Sequence, residues 1–334
     1  MVTVYPRKNR LADDADRDSG LDTTSDPQGV TIDLTGPLRG SPLEAPVLAA
    51  LDALEQALHL EALGNNSFRA SNESDRFGRI FGGQLLAQAV YAASATVDQY
   101  TPHSLHAYFL QTGDSGRPVE IEVGHVRDGR SMATRQVRVA QGERTLLTAL
   151  ASFHNNPAEP ELRSGQVDVP PPEEMPLLQH WVHQVPTPMR RNAQTWIDVP
   201  PAVEMRIAEP TTFLGGSQTS GPRSHWMRVP RAIADNPALH TAILAYASDY
   251  LMLDMALRSH PEPADYASIA AVSLDHAMWL HRPVQFDQWH LYTQETAAIT
   301  GHRAMVRGTI RDGAGMMVAS TAQEVLIRPV SGRR

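Results

Sequence analysis

The chain has 334 residues, a formal net charge of -8 at pH 7, 42% hydrophobic and 20% charged residues, and no cysteine. Its length is more than twice the roughly 150 residues of a typical domain, so two packed units are expected, and the ordinary composition excludes collagen, a coiled coil and a wholly disordered chain. Without cysteine there are no disulfides, thiolate zinc sites, cysteine-ligated iron–sulfur clusters or thiol nucleophile, and the acidic balance opposes a nucleic-acid partner, which would need a basic stripe.

Residues 1–46 mix charges with Gly and Pro and show almost no apolar periodicity, so they are expected to form a flexible tail. The start MVTVYPRKNRLADDADRDSG lacks the apolar centre of a secretory signal, and no run approaches the roughly 20 apolar residues needed to span a bilayer. The end, Ser331-Gly332-Arg333-Arg334, is not a peroxisomal address. No membrane span and a cytoplasmic location are therefore expected.

A first unit over 47–155 is expected to hold a helix from about Gly82 to Val97, the strand Ser104 to Leu110, and the strands RSMATRQVRVA and RTLLTALASFH. Prolines 157, 160, 170, 171, 172 and 176 then stiffen an extended stretch that cannot be helical, within a linker over 156–200 that includes a short helix at LLQHWVHQV. The second unit, 201–330, repeats the order: the helix AILAYASDYLML, the strand Leu274 to Leu280, a turn at Gly301, then AMVRGTIR and MMVASTAQEVLI. A helix followed by antiparallel strands, twice, is an α+β order that predicts a pseudo-two-fold pair with two sheets side by side.

Several chemistries lack their motif. There is no Gly-x-Ser-x-Gly elbow, no Walker loop, no complete dinucleotide fingerprint and no His-x-x-x-His helical pair, so covalent serine, nucleotide and metal chemistry lose weight. No cofactor and no metal site are expected.

Polar residues in apolar rows remain. If Leu239 to Leu257 forms one helix, Asp249 shares a face with Ala242, Ala245, Tyr246, Met252, Leu253 and Ala256, opposite His240, Asp254 and Arg258. A buried carboxylate costs several kcal/mol unless paired, and its pKa rises toward the range of a general base. The competing reading is an Asp satisfied by main chain or arginine. Gln323 lies in a strand row with Ala319, Thr321, Val325 and Ile327, either as a functional amide or as a core amide bonded to main chain. Ser273 lies in IAAVSLDH, where a hydroxyl easily satisfies itself. His106 and His276 occupy equivalent places in the two units, which favours packing. Asp275 and His276, as strand neighbours, point to opposite faces unless a bulge intervenes. Phe81-Gly82-Gly83-Gln84 opens the first helix; its glycines offer N–H groups to an oxyanion or phosphate, or serve tight helix packing.

In chain order, RIFGGQLLAQAVYAA, HSLHAYFLQTGDSGRPVEIEVGHVRDGRSMATRQVRV, AYASDYLML, SLDHAMWLHRP and VASTAQEVLIRP together resemble the acyl-CoA thioesterase II family, the tandem double-hotdog thioesterases, from about Leu51 to Pro329. The resemblance implies a double hotdog, two helix-wrapped antiparallel sheets in tandem as a pseudo-dimer. It implies hydrolysis of fatty acyl-CoA to free acid and CoA. Asp249, Ser273 and Gln323 match the family's water-holding acid, hydroxyl and amide, with Phe81, Gly82, Gly83 and Gln84 as substrate-binding candidates. Ser273 replaces a frequent Thr and Val325 a common Gly, which alters the room around Gln323. Hotdog sheet edges and strand faces often pair further, so the resemblance is compatible with a homo-oligomer but does not set the oligomeric state. Two alternatives stay open: a non-catalytic acyl-CoA-binding module, and another hotdog enzyme such as a hydratase.

Overall fold

The structure is a computed structural model that describes residues 34–73, 78–155, 167–262 and 269–329. The expectations for residues 1–33, for 156–166 of the linker and for Ser331 to Arg334 lie outside the described residues.

The first half opens with helix α1 (Glu44–Ala57), the hairpin β1 (Glu61–Gly64) and β2 (Ser67–Ala70), and helix α2 (Gly82–Ser94). Four strands follow: β3 (Thr101–Phe109), β4 (Val119–Asp128), β5 (Met132–Gln141) and β6 (Arg144–His154). After helix α3 (Arg190–Asp198), the second half contains β7 (Glu204–Arg206), β8 (Arg223–Arg228), helices α4 (Pro237–Ser248) and α5 (Met252–Arg258), and β9 (Ile269–Ser273). It ends with β10 (Asp275–Leu280), β11 (His290–Thr300), β12 (Arg303–Asp312) and β13 (Met317–Pro329).

The strands form one antiparallel sheet in the order β1-β2-β4-β5-β6-β3-β10-β13-β12-β11-β8-β7, with β9 added beside β13. Reading outward from the centre, β3, β6, β5 and β4 mirror β10, β13, β12 and β11. The two sheets predicted side by side are therefore joined through the β3–β10 ladder, where Ala277 faces His106 and Trp279 faces Ser104. Alternation sends Ala133, Val137 and Val139 of β5 and Ala304, Val306 and Ile310 of β12 into the core.

Helices α2 and α4 lie under this sheet and pack on each other. Both are rich in alanine, and a β-carbon on Gly83 would stand 2.3 Å from the Tyr246 carbonyl oxygen, so glycine is what permits this approach. Unlike an amphipathic surface helix, α4 is enclosed on all sides, with every residue from His240 to Ser248 buried.

Two stretches read as tail and linker are built into the fold. Leu34, Leu38 and Leu43 are buried with Val47 and Leu177, so the packed chain begins ahead of residue 47. Between 172 and 200 the linker carries three short 3-10 helices as well as α3, and it buries Leu178, Val182, Val185 and Trp196. Its helices are short, so each carries only two or so buried apolar residues, too few to set a period in the sequence.

Candidate active site

The helix expected to run unbroken from Leu239 to Leu257 is interrupted at Asp249. Helix α4 ends at Ser248, Asp249 is its C-cap, Leu251 adopts a left-handed φ of 64°, and α5 starts at Met252. Carbonyls freed by the break find partners on β11: Tyr292 Oη donates to Ser248 O at 2.9 Å and Gln294 Nε2 donates to Tyr250 O at 2.8 Å. The face expected to lie opposite the core is also buried. Asp254 pairs with Arg223 at 2.7 Å, Arg258 pairs with Glu209 at 2.9 Å, and His240 Nδ1 accepts from Phe286 N at 3.0 Å.

Asp249 is 8% exposed and faces the N-terminus of α2. A β-carbon on Gly82 would fall 2.7 Å from its Oδ2, and the Gly83 N–H donates to the carboxylate. Burial pushes the Asp249 carboxyl above its ordinary range, opposed by His276, by a hydrogen bond from Gln323, by the Gly83 N–H and by Arg79. The macrodipole of α2 adds partial positive charge at the same place.

Gln323 on β13 is 1% exposed and joins the rest. Its Nε2 donates to Ser273 Oγ at 2.8 Å, and its Oε1 accepts from His276 Nδ1 at 2.6 Å. An amide oxygen only accepts, so Nδ1 carries the imidazole proton. On the other side of the ring, Nε2 lies 2.9 Å from Ser248 Oγ. Burial pushes the His276 pKa down, against the pull of Asp249, which favours a neutral ring. The structure thus brings Asp249, Ser273 and Gln323 together.

His276 belongs to this cluster, although its symmetry with His106 favoured packing for both. His106 is exposed, with its ring edge-on to Trp279 at 5.1 Å, whereas His276 is 1% exposed. In a regular strand Ser273 and His276, three residues apart, would point to opposite faces. The chain breaks between β9 and β10 at Leu274, where Leu274 N donates to Glu324 O at 2.8 Å and Asp275 Oδ1 accepts from Glu324 N at 2.7 Å. This irregularity brings Ser273 and His276, three residues apart, to the same amide, and leaves Asp275 bonded to the main chain of Glu324.

The four residues proposed at the start of α2 separate. Gly82 and Gly83 face Asp249. The Phe81 ring rests against Tyr250 at 4.6 Å and Tyr246 at 5.3 Å. Gln84 is fully buried but turns the other way: its Nε2 donates to Asn72 Oδ1 at 2.7 Å and its Oε1 accepts from Glu73 N at 3.0 Å. It ties the segment before α2 to the helix.

Comparisons with known proteins point to one family for this fold. A family model described as "Acyl-CoA thioesterase" matches residues 193–326, and one described as "Acyl-CoA thioesterase N-terminal domain" matches 71–154. The chain is 31% identical to human acyl-coenzyme A thioesterase 8 over 282 residues, 81% of this chain and 87% of that one. It is 29% identical to acyl-CoA thioesterase 2 of Haemophilus influenzae, covering 83% and 98% of the two chains. Among solved structures, the acyl-CoA thioesterase II TesB2 from Mycobacterium marinum is 32% identical with a TM-score of 0.68, over 84% of this chain and all of that one. A hot dog fold protein from Alicyclobacillus acidocaldarius, 19% identical with a TM-score of 0.62 over 83% and 98% of the two chains, supports the fold alone. With the two joined sheets, each wrapping its helix, and with relatives of this identity along most of its length, the chain belongs to the acyl-CoA thioesterase II family and is a double hotdog.

Proposed function

We propose that the chain hydrolyses fatty acyl-CoA to free fatty acid and CoA, with water as nucleophile and Asp249 as general base. The observation that carries this reading is a buried carboxylate with a raised pKa, held against a helix N-terminus and hydrogen-bonded to the amide of Gln323. A base near the operating pH contributes typically about 10²- to 10⁴-fold.

In this reading water sits among Asp249, Ser273 and Gln323. Its oxygen forms a bond to the thioester carbonyl carbon while Asp249 takes its proton. The tetrahedral oxyanion is stabilised by the N–H of Gly82 at the N-terminus of α2, since the Gly83 N–H and the Gln323 amide are engaged by Asp249 and Ser273. Collapse breaks the carbon–sulfur bond and releases CoA as thiolate. The proton leaves Asp249 for solvent or for the thiolate, and the base is regenerated. Thiols ionise near pH 8.5, so the leaving group needs little help from an acid.

Thiol release from acyl-CoAs of several chain lengths, measured for the wild type and Asp249→Ala, tests the proposal. Wild-type release with loss in the variant is expected. Undiminished release in the variant removes Asp249 as base, and ligand binding without wild-type release leaves a binding module.

A further inference from the structure

The break at Asp249 is held from the strand side in a way that points to two more residues. The residues before and after Asp249 turn their carbonyls to β11, where two inward-facing residues take one each: Tyr292 takes Ser248 O and Gln294 takes Tyr250 O. Both strand side chains are fully buried. A carbonyl only accepts, so the Tyr292 proton goes to Ser248 O, and Thr321 Oγ1, 2.8 Å from Oη, is left to donate to it. To reach both, the ring crosses β12 at Gly308, where a β-carbon would stand 2.4 Å from Tyr292 Cε2 and 2.6 Å from Thr321 Oγ1. Strand β12 is thus notched where the ring passes. Burial also pushes the Tyr292 phenol up, so it remains a donor across the working pH range.

We propose that Tyr292 and Gln294 are positioning residues for hydrolysis: by fixing the main chain on both sides of Asp249, they hold its carboxylate against Gly83 and Gln323. This rests on Asp249 being the base. Neither residue is assigned contact with substrate. The charged and titratable groups that face the carboxylate are His276 from β10, Arg79 ahead of α2 and the Tyr292 phenol from β11. Donors from Gly83 and Gln323 lower its pKa. If the backbone clamp is released and the carboxylate drifts from those donors, the pKa rises, and the acidic limb of the kcat profile moves to higher pH.

The test is the pH dependence of kcat and KM for Tyr292→Phe, Gln294→Met and Gly308→Ala, with Thr296→Val as control. Thr296 Oγ1 also donates from β11 to a helix carbonyl, Met255 O at 2.9 Å, but well into α5 and away from Asp249. The expected result is a fall in kcat of about 10- to 100-fold for the first three, the scale of a small misplacement of a reacting group. KM should be nearly unchanged and the acidic limb shifted upward. Thr296→Val should keep the wild-type kcat and limb even where its Tm falls. A folded Tyr292→Phe with wild-type kcat and limb overturns the proposal, as does an equal loss in Thr296→Val. Should Tyr292→Phe fail to fold, Gln294→Met decides by the same criteria. Activity retained in Asp249→Asn defeats the underlying assignment separately.

Discussion

Asp249 Oδ2 lies 2.7 Å from the point where Gly82 would carry a β-carbon, and that point is also 3.2 Å from the Phe109 ring. The missing side chain is therefore part of the site's shape. Gly82→Ala favours the helix by up to about 1 kcal/mol in propensity, yet it displaces the carboxylate. The expected outcome is a folded protein with unchanged or higher Tm and kcat reduced about 10- to 100-fold in a thiol-release assay.

Asp249→Asn should raise thermal stability while abolishing turnover. The carboxyl pKa is raised in the folded state, so the native protein holds a proton that the unfolded chain has already lost. Stability contributed by this group is present below the unfolded pKa and is lost as pH rises through the folded pKa. At neutral pH the charge is a burden that the isosteric amide removes. Melting curves at pH 5 and pH 8 should show a larger gain for the variant at the higher pH.

Ser273 holds Gln323 through a single hydroxyl. Ser273→Thr retains that acceptor and stiffens its rotamer, so kcat should stay near the wild-type value. Ser273→Ala removes it and should lower kcat about tenfold, the worth of one ordinary hydrogen bond. Steady-state rates on one acyl-CoA separate the two.

Deleting residues through 33 leaves the described contacts intact, and thiol release should persist. Deleting through 46 removes Leu34, Leu38 and Leu43 from a buried cluster, along with the Gly36 carbonyl that accepts from Arg206 Nη2 at 3.0 Å. Each buried leucine is worth about 2–5 kcal/mol. A sharp drop in Tm is expected for the longer deletion only.

Much of this architecture is legible in the sequence because periodicity and repetition speak for it. The helix at Gly82, the alternation around Gln323 and the two matching helix–strand orders are local patterns. Asp249 and Gln323 stand out because polar groups in apolar rows need partners. His276 is concealed by its symmetry with His106, and nothing local announces the irregularity at Leu274 that brings it to the amide Ser273 also reaches. The helix break is hidden for a related reason: AYASDYLML contains neither Gly nor Pro, so nothing local announces a left-handed Leu251. The break depends on carbonyl partners from Tyr292 and Gln294, more than 40 residues away along the chain. In a strand those two read only as core.

Leu251 gives that point a magnitude. A non-glycine residue in the left-handed region costs roughly 1–2 kcal/mol, but this side chain is only 6% exposed. Leu251→Gly relieves the strain and forfeits a buried leucine worth about 2–5 kcal/mol. Burial outweighs strain, so the variant should be less stable by roughly 1–3 kcal/mol in a denaturant titration.

Helices α2 and α4 start at Gly82 and Pro237, so Tyr91 corresponds to Tyr246 and Ser94 to Asp249. At the mirror-image position, Ser94 Oγ donates to Val90 O at 2.8 Å, and Pro237 has no N–H to give. The next two N–H groups, of Ala238 and Leu239, are taken by Asn236 Oδ1 at 3.0 and 3.4 Å. One repeat presents the acid and the other presents the donors. A second centre would need an acid in place of Ser94 and an open N-terminus on α4 at once. With Asp249 as the proposed base, either change alone supplies only half of such a centre, so no single substitution at these two places adds a second one.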